Sequence, residues 1–397
     1  MNSPDAARSQ LERAQRIAAF FGLIGFLVLC LSFAWGNREQ FFHSYLLAYV
    51  FWMSIPLGCM AILMLHHLTG GWWGYPIRRL LEAGTRTFVA MAVLFVPVLV
   101  GMQRLYPWYG WSHSSELAHN PNLVFKLHYL TPRFFTLRAI IYFAIWLLLA
   151  HFFNKWSGEQ DSTGDPRLAT RLEALSGPGL ILWGLGATYA SVDWVMSLEP
   201  HWFSTIYGMI FMIVEALIAM SFVIFVLRKL SDYEPISKAV TPAQFNDLGN
   251  LMLAFVMLWA YLGFSQFLII WAGNIKDEIP WYMARAFGGW GAVAVVLIAL
   301  HFAVPFLLLL QRGVKRRLHV LSIVAGMMIL LSLVDVYWLV APAYQKDGPQ
   351  FHWLDFCALL AIGGVWLAVF FSKLKSRALL PLHDPRFEGA LQHEHGN

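Results

Sequence analysis

The chain has 397 residues, 58% of them apolar and 13% charged, with a mean hydropathy of +0.57. Soluble domains run near 45–50% apolar and about 25% charged, so an ordinary soluble domain is excluded. The formal net charge of +5 reads as a topological bias of a membrane protein and not as a nucleic-acid surface.

Taken in chain order, the sequence predicts a polar, basic tail over 1–16 and then ten apolar spans. These cover 17–35, 45–65, 87–105, 134–153, 179–198, 203–227, 248–271, 286–310, 318–341 and 356–371. Most reach the roughly 17–25 residues that a membrane helix needs. The expected division is a cytoplasmic tail (1–16), an all-α transmembrane domain (17–372) and a second cytoplasmic tail (373–397). The first span lacks a small-residue cleavage site and reads as a retained helix. Two connections are long: 107–132, with Trp108, Trp111, His113, His119 and His128, and the charged 154–176. Almost nothing separates the fifth and sixth spans, which predicts a tight hairpin. With ten spans both termini share a side, and that side carries 20 of the 28 basic residues. The asymmetry predicts that both termini are cytoplasmic.

Cys30, Cys59 and Cys357 fall in three different spans and form no metal-ligand or haem-attachment spacing. No iron–sulfur cluster, c-type haem or zinc site is expected from them. Only His301 sits deep in a span, which argues against a bis-histidine haem. The chain is therefore expected to bind no metal and to hold no redox cofactor of its own.

Several spans carry one ionisable residue, which is costly in hydrocarbon and marks relays or pathways. Asp193 shares a small-residue face with Gly179, Gly186 and Ala190, and Glu215 shares one with Ser204, Gly208 and Ala219. Asp335 lies one turn from Ser332, and Asp355 opens the last span. These acids read either as members of a proton half-channel or as structural polar contacts, such as Asp193 bonded to a tryptophan indole. Glu215, the deepest, favours function. His301 precedes Pro305 by four residues, so its carbonyl loses a helical partner and the helix should kink there. That suits a water or a quinone headgroup, and equally a histidine bonded to a neighbouring helix. His66 and His67 end the second span on the expected cytoplasmic side. Arg79 and Glu82 follow as an expected surface ion pair of little energetic weight.

The string SVDWVMSLEPHWFSTIYG at 191–208 closely resembles the signature of the ActF family. These are the smaller NrfD-like membrane subunits of bacterial alternative complex III, a quinol:cytochrome c/oxidase oxidoreductase. HLTGGWWG (67–74), RRLLE (78–82), QFLIIWAGN (266–274) and HFAVPF (301–306) are similar to the same subunit. The resemblance covers roughly residues 15 to 375. It implies ten helices in two four-helix bundles plus two additional helices, in a bacterial inner membrane. It also implies partners: a multihaem cytochrome c, an iron–sulfur subunit, a second NrfD-like subunit and a terminal oxidase. Quinone binding, proton conduction and scaffolding are the roles it leaves open, with catalysis only in the complex. By motif position and chemistry it implies relay candidates Asp193, Glu199, His201, Glu215, His301 and Asp335, to which the position of Asp355 at the start of the last span adds a seventh. His66, His67 and His301 are the quinone candidates. A stand-alone secondary transporter and a pure membrane anchor are the competing readings. The sequence lacks the paired Gly-rich half-helices that point to a transporter site.

The charge asymmetry yields a first test. A reporter active only in the periplasm, fused after Asn397, should be silent; activity there would reverse the topology.

Overall fold

The computed structural model describes residues 4–113, 121–381 and 384. His113 belongs to the backbone described, whereas His119 and the tail after residue 384 lie outside it. Helix α1 (Pro4–Ala34) runs without a break through the expected N-terminal tail into the first span. Helix α2 (Arg38–Thr69) stays one helix through Pro56 and ends on Gly70 at φ 62°, whose N–H caps the carbonyl of His66. A 3-10 turn (Trp72–Gly74) leads into α3 (Tyr75–Thr85). The third span is broken into α4 (Phe88–Leu94), α5 (Val96–Val100) and α6 (Met102–Leu105). Next come a 3-10 stretch (Pro107–His113) and α7 (Pro121–Tyr129).

Helices α8 (Pro132–Thr163) and α9 (Pro166–Trp194) correct the expected loop at 154–176. Both helices continue through those charged residues and meet at Gly164 and Asp165. Gly164 takes φ 66° as the C-cap of α8, and Asp165 accepts the N–H of Arg167 as the N-cap of α9. Hydropathy marks where a helix leaves an apolar medium, while caps mark where it ends.

Beyond α9 lie a 3-10 turn (Met196–Leu198), α10 (Tyr207–Leu230), short α11 (Ile236–Ala239), α12 (Pro242–Gly273) and α13 (Ile279–Ala286). The expected tight hairpin between the fifth and sixth spans is instead the connection 195–206. Its Glu199-Pro200 pair disfavours helix at residue 199. The eighth span is α14 (Trp290–Val296), a π-helical stretch (Leu297–Ala303) and α15 (Val304–Leu310). Pro305 follows His301 by four residues, and the turn around His301 is π-helical where the proline removes a hydrogen bond. Short α16 (Arg312–Lys315), α17 (Leu318–Val340), a 3-10 turn (Ala341–Ala343) and α18 (Trp353–Leu374) complete the chain.

Among the described residues, nine helical stretches are long and apolar enough to cross a membrane. The fifth expected span, on α9, is not one of the nine: Gly177, Gly179, Gly184, Gly186 and Asp193 dilute its apolar run. It nevertheless packs as a full-length helix against α2, α8 and α10.

Helices α2 and α10 form the axis, and nearly every residue of their apolar runs is buried. Around them stand α3, α9, α12, α17 and α18. Helix α1 packs along α18, where Gly22 faces Gly364 and Gly25 faces Ala361 so closely that any side chain would collide with backbone. Helices in lipid have no hydrophobic drive toward each other, so close approach of small residues supplies the attraction. The same device sets the central crossing. A Cβ on Gly58 of α2 would lie 2.0 Å from the carbonyl oxygen of Glu215 on α10. Unpaired carbonyls of the broken third span are taken up by α2: Tyr45 donates to Leu94 O at 2.7 Å and Tyr49 to Met91 O at 3.0 Å.

Gly58→Ala is expected to separate α2 from α10 and cost at least the ~1–3 kcal/mol of core overpacking. Gly263→Ala on α12, with open space at its Cβ position, should be neutral. Thermal unfolding of the two variants in detergent checks this, and equal melting would remove the crossing from its central role.

Candidate functional site

Glu215 sits on α10 where α2, α9 and α10 meet. Its residue is 3% exposed, and its Oε2 has no hydrogen-bond partner among the described residues. The carboxyl borders a cavity of about 10 Å³ lined by Ser54, Leu57, Ser191, Trp194 and Phe211, the size of about one water molecule. Both hydroxyls there spend their protons on their own helices, Ser54 on Val50 O at 2.8 Å and Ser191 on Thr188 O at 2.7 Å. The Nε1 of Trp194 is buried without a partner as well. Glu215 and Trp194 thus both line the cavity, and each carries a buried polar atom without a partner among the described residues.

Asp193, one turn down the α9 wall, is held quite differently. Arg138 of α8 grips it through Nε and Nη2, each at 2.8 Å, and Tyr142 donates a third bond at 2.8 Å. Arg138 is itself sandwiched over the rings of Tyr129 (3.7 Å) and Phe134 (4.3 Å) and donates to Tyr129 O. The expected indole partner is thus replaced by a bidentate guanidinium, the strongest geometry available to a carboxylate. Arg138 falls within the expected fourth span, 134–153. Its place near the start of an apolar span was the signal, because a buried cation requires a counter-charge.

Glu199, in the 195–206 connection, is paired with Arg285 of α13 at 2.6 and 3.3 Å. Arg285 is fully buried, lies 3.8 Å over Trp281 and also donates to Leu339 O. His201 is exposed, with its ring 5.7 Å from Trp111. Asp355 belongs to the start of α18. It accepts Ser44 Oγ at 2.5 Å, Gln40 Nε2 at 3.3 Å and the N–H of His352 at 3.0 Å, as a capping box.

A second cluster joins α12, the π-helical stretch and α17. His301 Nε2 lies 3.0 Å from Ser332 Oγ, and its Nδ1 has no partner among the described residues. The Trp259 ring meets the His301 ring edge-on at 4.6 Å, while its Nε1 donates to Asp335 at 2.9 Å. One indole thus connects His301 to Asp335, two residues that sequence spacing does not relate.

At the opposite end of α2, His66 packs on Trp73 and Tyr75, and His67 stacks on Phe153 at 5.7 Å. A Cβ on Gly74 would strike the His66 ring, which explains glycine there. The expected surface pair Arg79–Glu82 is corrected: both residues are buried, in a network with Arg78, Ser157, Gln160, Asp161 and Asp384. Asp384 reaches this network from the C-terminal tail. Ser157, Gln160 and Asp161 all lie on the extended C-terminal part of α8, which packs over the pair and keeps it from the surface.

Among the described residues no group of three His, Cys, Asp or Glu is placed to hold a metal. No protein-family model matches the chain, and no curated protein matches it.

Removing one partner of a buried ion pair costs about 3–5 kcal/mol, while exchanging both for apolar residues is often near neutral. Arg138→Met should therefore destabilise the protein more than the double variant Arg138→Met/Asp193→Leu. Unfolding of the single and double variants in detergent measures this; simple addition of the two single losses would show that the pair is not a unit.

Proposed function

We propose that this chain is a membrane subunit of a bacterial quinol:electron-acceptor oxidoreductase, of the ActF type in alternative complex III. It acts without a redox cofactor of its own, as part of a proton-conducting half-channel, in the inner membrane with both termini in the cytoplasm. Its partners are the multihaem cytochrome c, the iron–sulfur subunit and the second NrfD-like subunit, with a terminal oxidase as acceptor.

The observation that carries this reading is Glu215: a buried acid lining a water-sized cavity, with a carboxyl oxygen that has no partner among the described residues. A structural acid is expected to look like Asp193, Glu199 or Asp355, each held by two or more donors. Glu215 is free to pass its proton to a water without breaking an ion pair; Asp193 is not. Among the seven relay candidates, then, Glu215 is the exchanging group. The pair His301 and Asp335 around Trp259 is a second station, while Asp193, Glu199 and Asp355 hold the architecture. His301 also fits the chemistry of a quinone oxygen through its unpartnered Nδ1. His66 and His67, wedged among aromatic rings, fit it less well.

In this reading the helices form two bundles, joined where α2 and α9 pack on α10. Helices α2, the α3–α6 series, α8 and α9 group together. So do α10, α12, the α14–α15 series and α17, with α1 and α18 as an added pair.

Purification through a tag tests the assignment, since multihaem and iron–sulfur partners should accompany the chain. Recovery of the chain alone would make it a stand-alone transporter or anchor. Within the assembled complex, Glu215→Gln keeps the size of the side chain but cannot release a proton. It is expected to lower the proton-to-electron ratio of quinol oxidation in vesicles, with electron transfer less affected. An unchanged ratio in a normally assembled complex would make Glu215 structural.

A further inference from the structure

An open groove of about 540 Å³ runs between the C-terminal end of α10 and the N-terminal end of α17. Its lining changes character along its length. Toward the middle of both helices it is apolar, with Phe225 on one wall and Ile323 and Gly326 on the other. At the helix ends it is basic, with Arg228 and Lys229 on α10 and the His319 imidazole on α17. Exposed Arg316 and Arg317 precede α17 and add positive charge at the same end. Gly326 keeps the apolar part open: a Cβ there would only just touch the Phe225 ring, at 3.6 Å, and any larger side chain would fill the track.

We propose that this groove is a binding site for one anionic glycerophospholipid, with its phosphate at Arg228, Lys229 and His319 and an acyl chain along Phe225, Ile323 and Gly326. Both helices cross the apolar layer and both reach their ends here, so the apolar-to-basic gradient runs along the membrane normal, as it does in a lipid. A basic pocket between membrane helices at the headgroup level is the chemistry that selects anionic lipids. The cations are available for it. Lys229 rests over the Phe225 ring at 5.4 Å and makes no ion pair among the described residues. Arg228 holds only Ser231 and the exposed Asp232, at 2.9 Å, and exposed pairs of this kind are weak. A lipid phosphate displaces Asp232 and gains both cations. This inference needs the spans to be embedded in a bilayer and is independent of the respiratory assignment.

The test uses the purified full-length chain in detergent and native mass spectrometry. The probes are phosphatidylglycerol, phosphatidylcholine with the same acyl chains, and inorganic phosphate. Each cation at a lipid surface is worth about fivefold in affinity. Arg228→Gln/Lys229→Gln should therefore retain phosphatidylglycerol about thirtyfold less than the native chain. Asp232→Asn, which removes the competing carboxylate, should retain it more strongly, a gain that misfolding cannot imitate. Gly326→Leu should weaken retention with every charge in place. Equal retention of the two lipids, unchanged retention in the double variant, or full displacement by inorganic phosphate would overturn the proposal.

Discussion

The crossing of α2 and α10 at Gly58 and Glu215 is the constraint on which the other features rest. The missing side chain at Gly58 lets the two backbones meet at a distance that no Cβ would allow. Packing of this kind replaces the hydrophobic effect, which is absent between helices in lipid. Because the two helices touch, α2 can be surrounded on all sides, and its Tyr45 and Tyr49 can reach the carbonyls that the broken third span leaves open. The same contact brings Ser54 of α2 and Trp194 of α9 around the Glu215 carboxyl. A glycine on one helix thus both builds the core and encloses the acid.

Polar groups inside the protein fall into two kinds. One kind is held in charge pairs. Asp193 with Arg138 and Tyr142, Glu199 with Arg285, and Glu82 with Arg78 and Arg79 are charge pairs with further hydrogen bonds. Breaking any of them strands a buried charge at a cost of about 3–5 kcal/mol, so they hold shape and are poorly suited to moving protons. Glu215 and the Nδ1 of His301 are of the other kind, buried and unpartnered. Pairing distinguishes these groups more sharply than residue type does, because each centres on an acid or a histidine.

The outer surface repeats the division on a coarser scale. Helices α12 and α14–α15 are largely exposed along their apolar runs, whereas α2 and α10 are enclosed. Helix α10 carries Glu215 at the central crossing and ends in Arg228 and Lys229.

Composition and hydropathy sufficed to read an all-helical, multi-span membrane protein, because both depend only on which residues can tolerate an apolar medium. The break beside Pro97 and the π-helical stretch before Pro305 fit a residue that removes a backbone donor, whereas α2 runs unbroken through Pro56. Glu215 was legible as an acid deep in an apolar run, but its lack of a partner was not. Pairing depends on residues from other helices: Arg138 lies 55 positions from Asp193, and Arg285 lies 86 from Glu199. The link from His301 to Asp335 runs through Trp259 of a third helix. The helical course of 154–176 was likewise hidden, because its charged residues end the apolar run without ending the helix. Sequence determined which residues are costly inside a membrane. Tertiary structure alone decided which of them are paired, since a charge is neutralised by what packs against it in space and not by its neighbours along the chain.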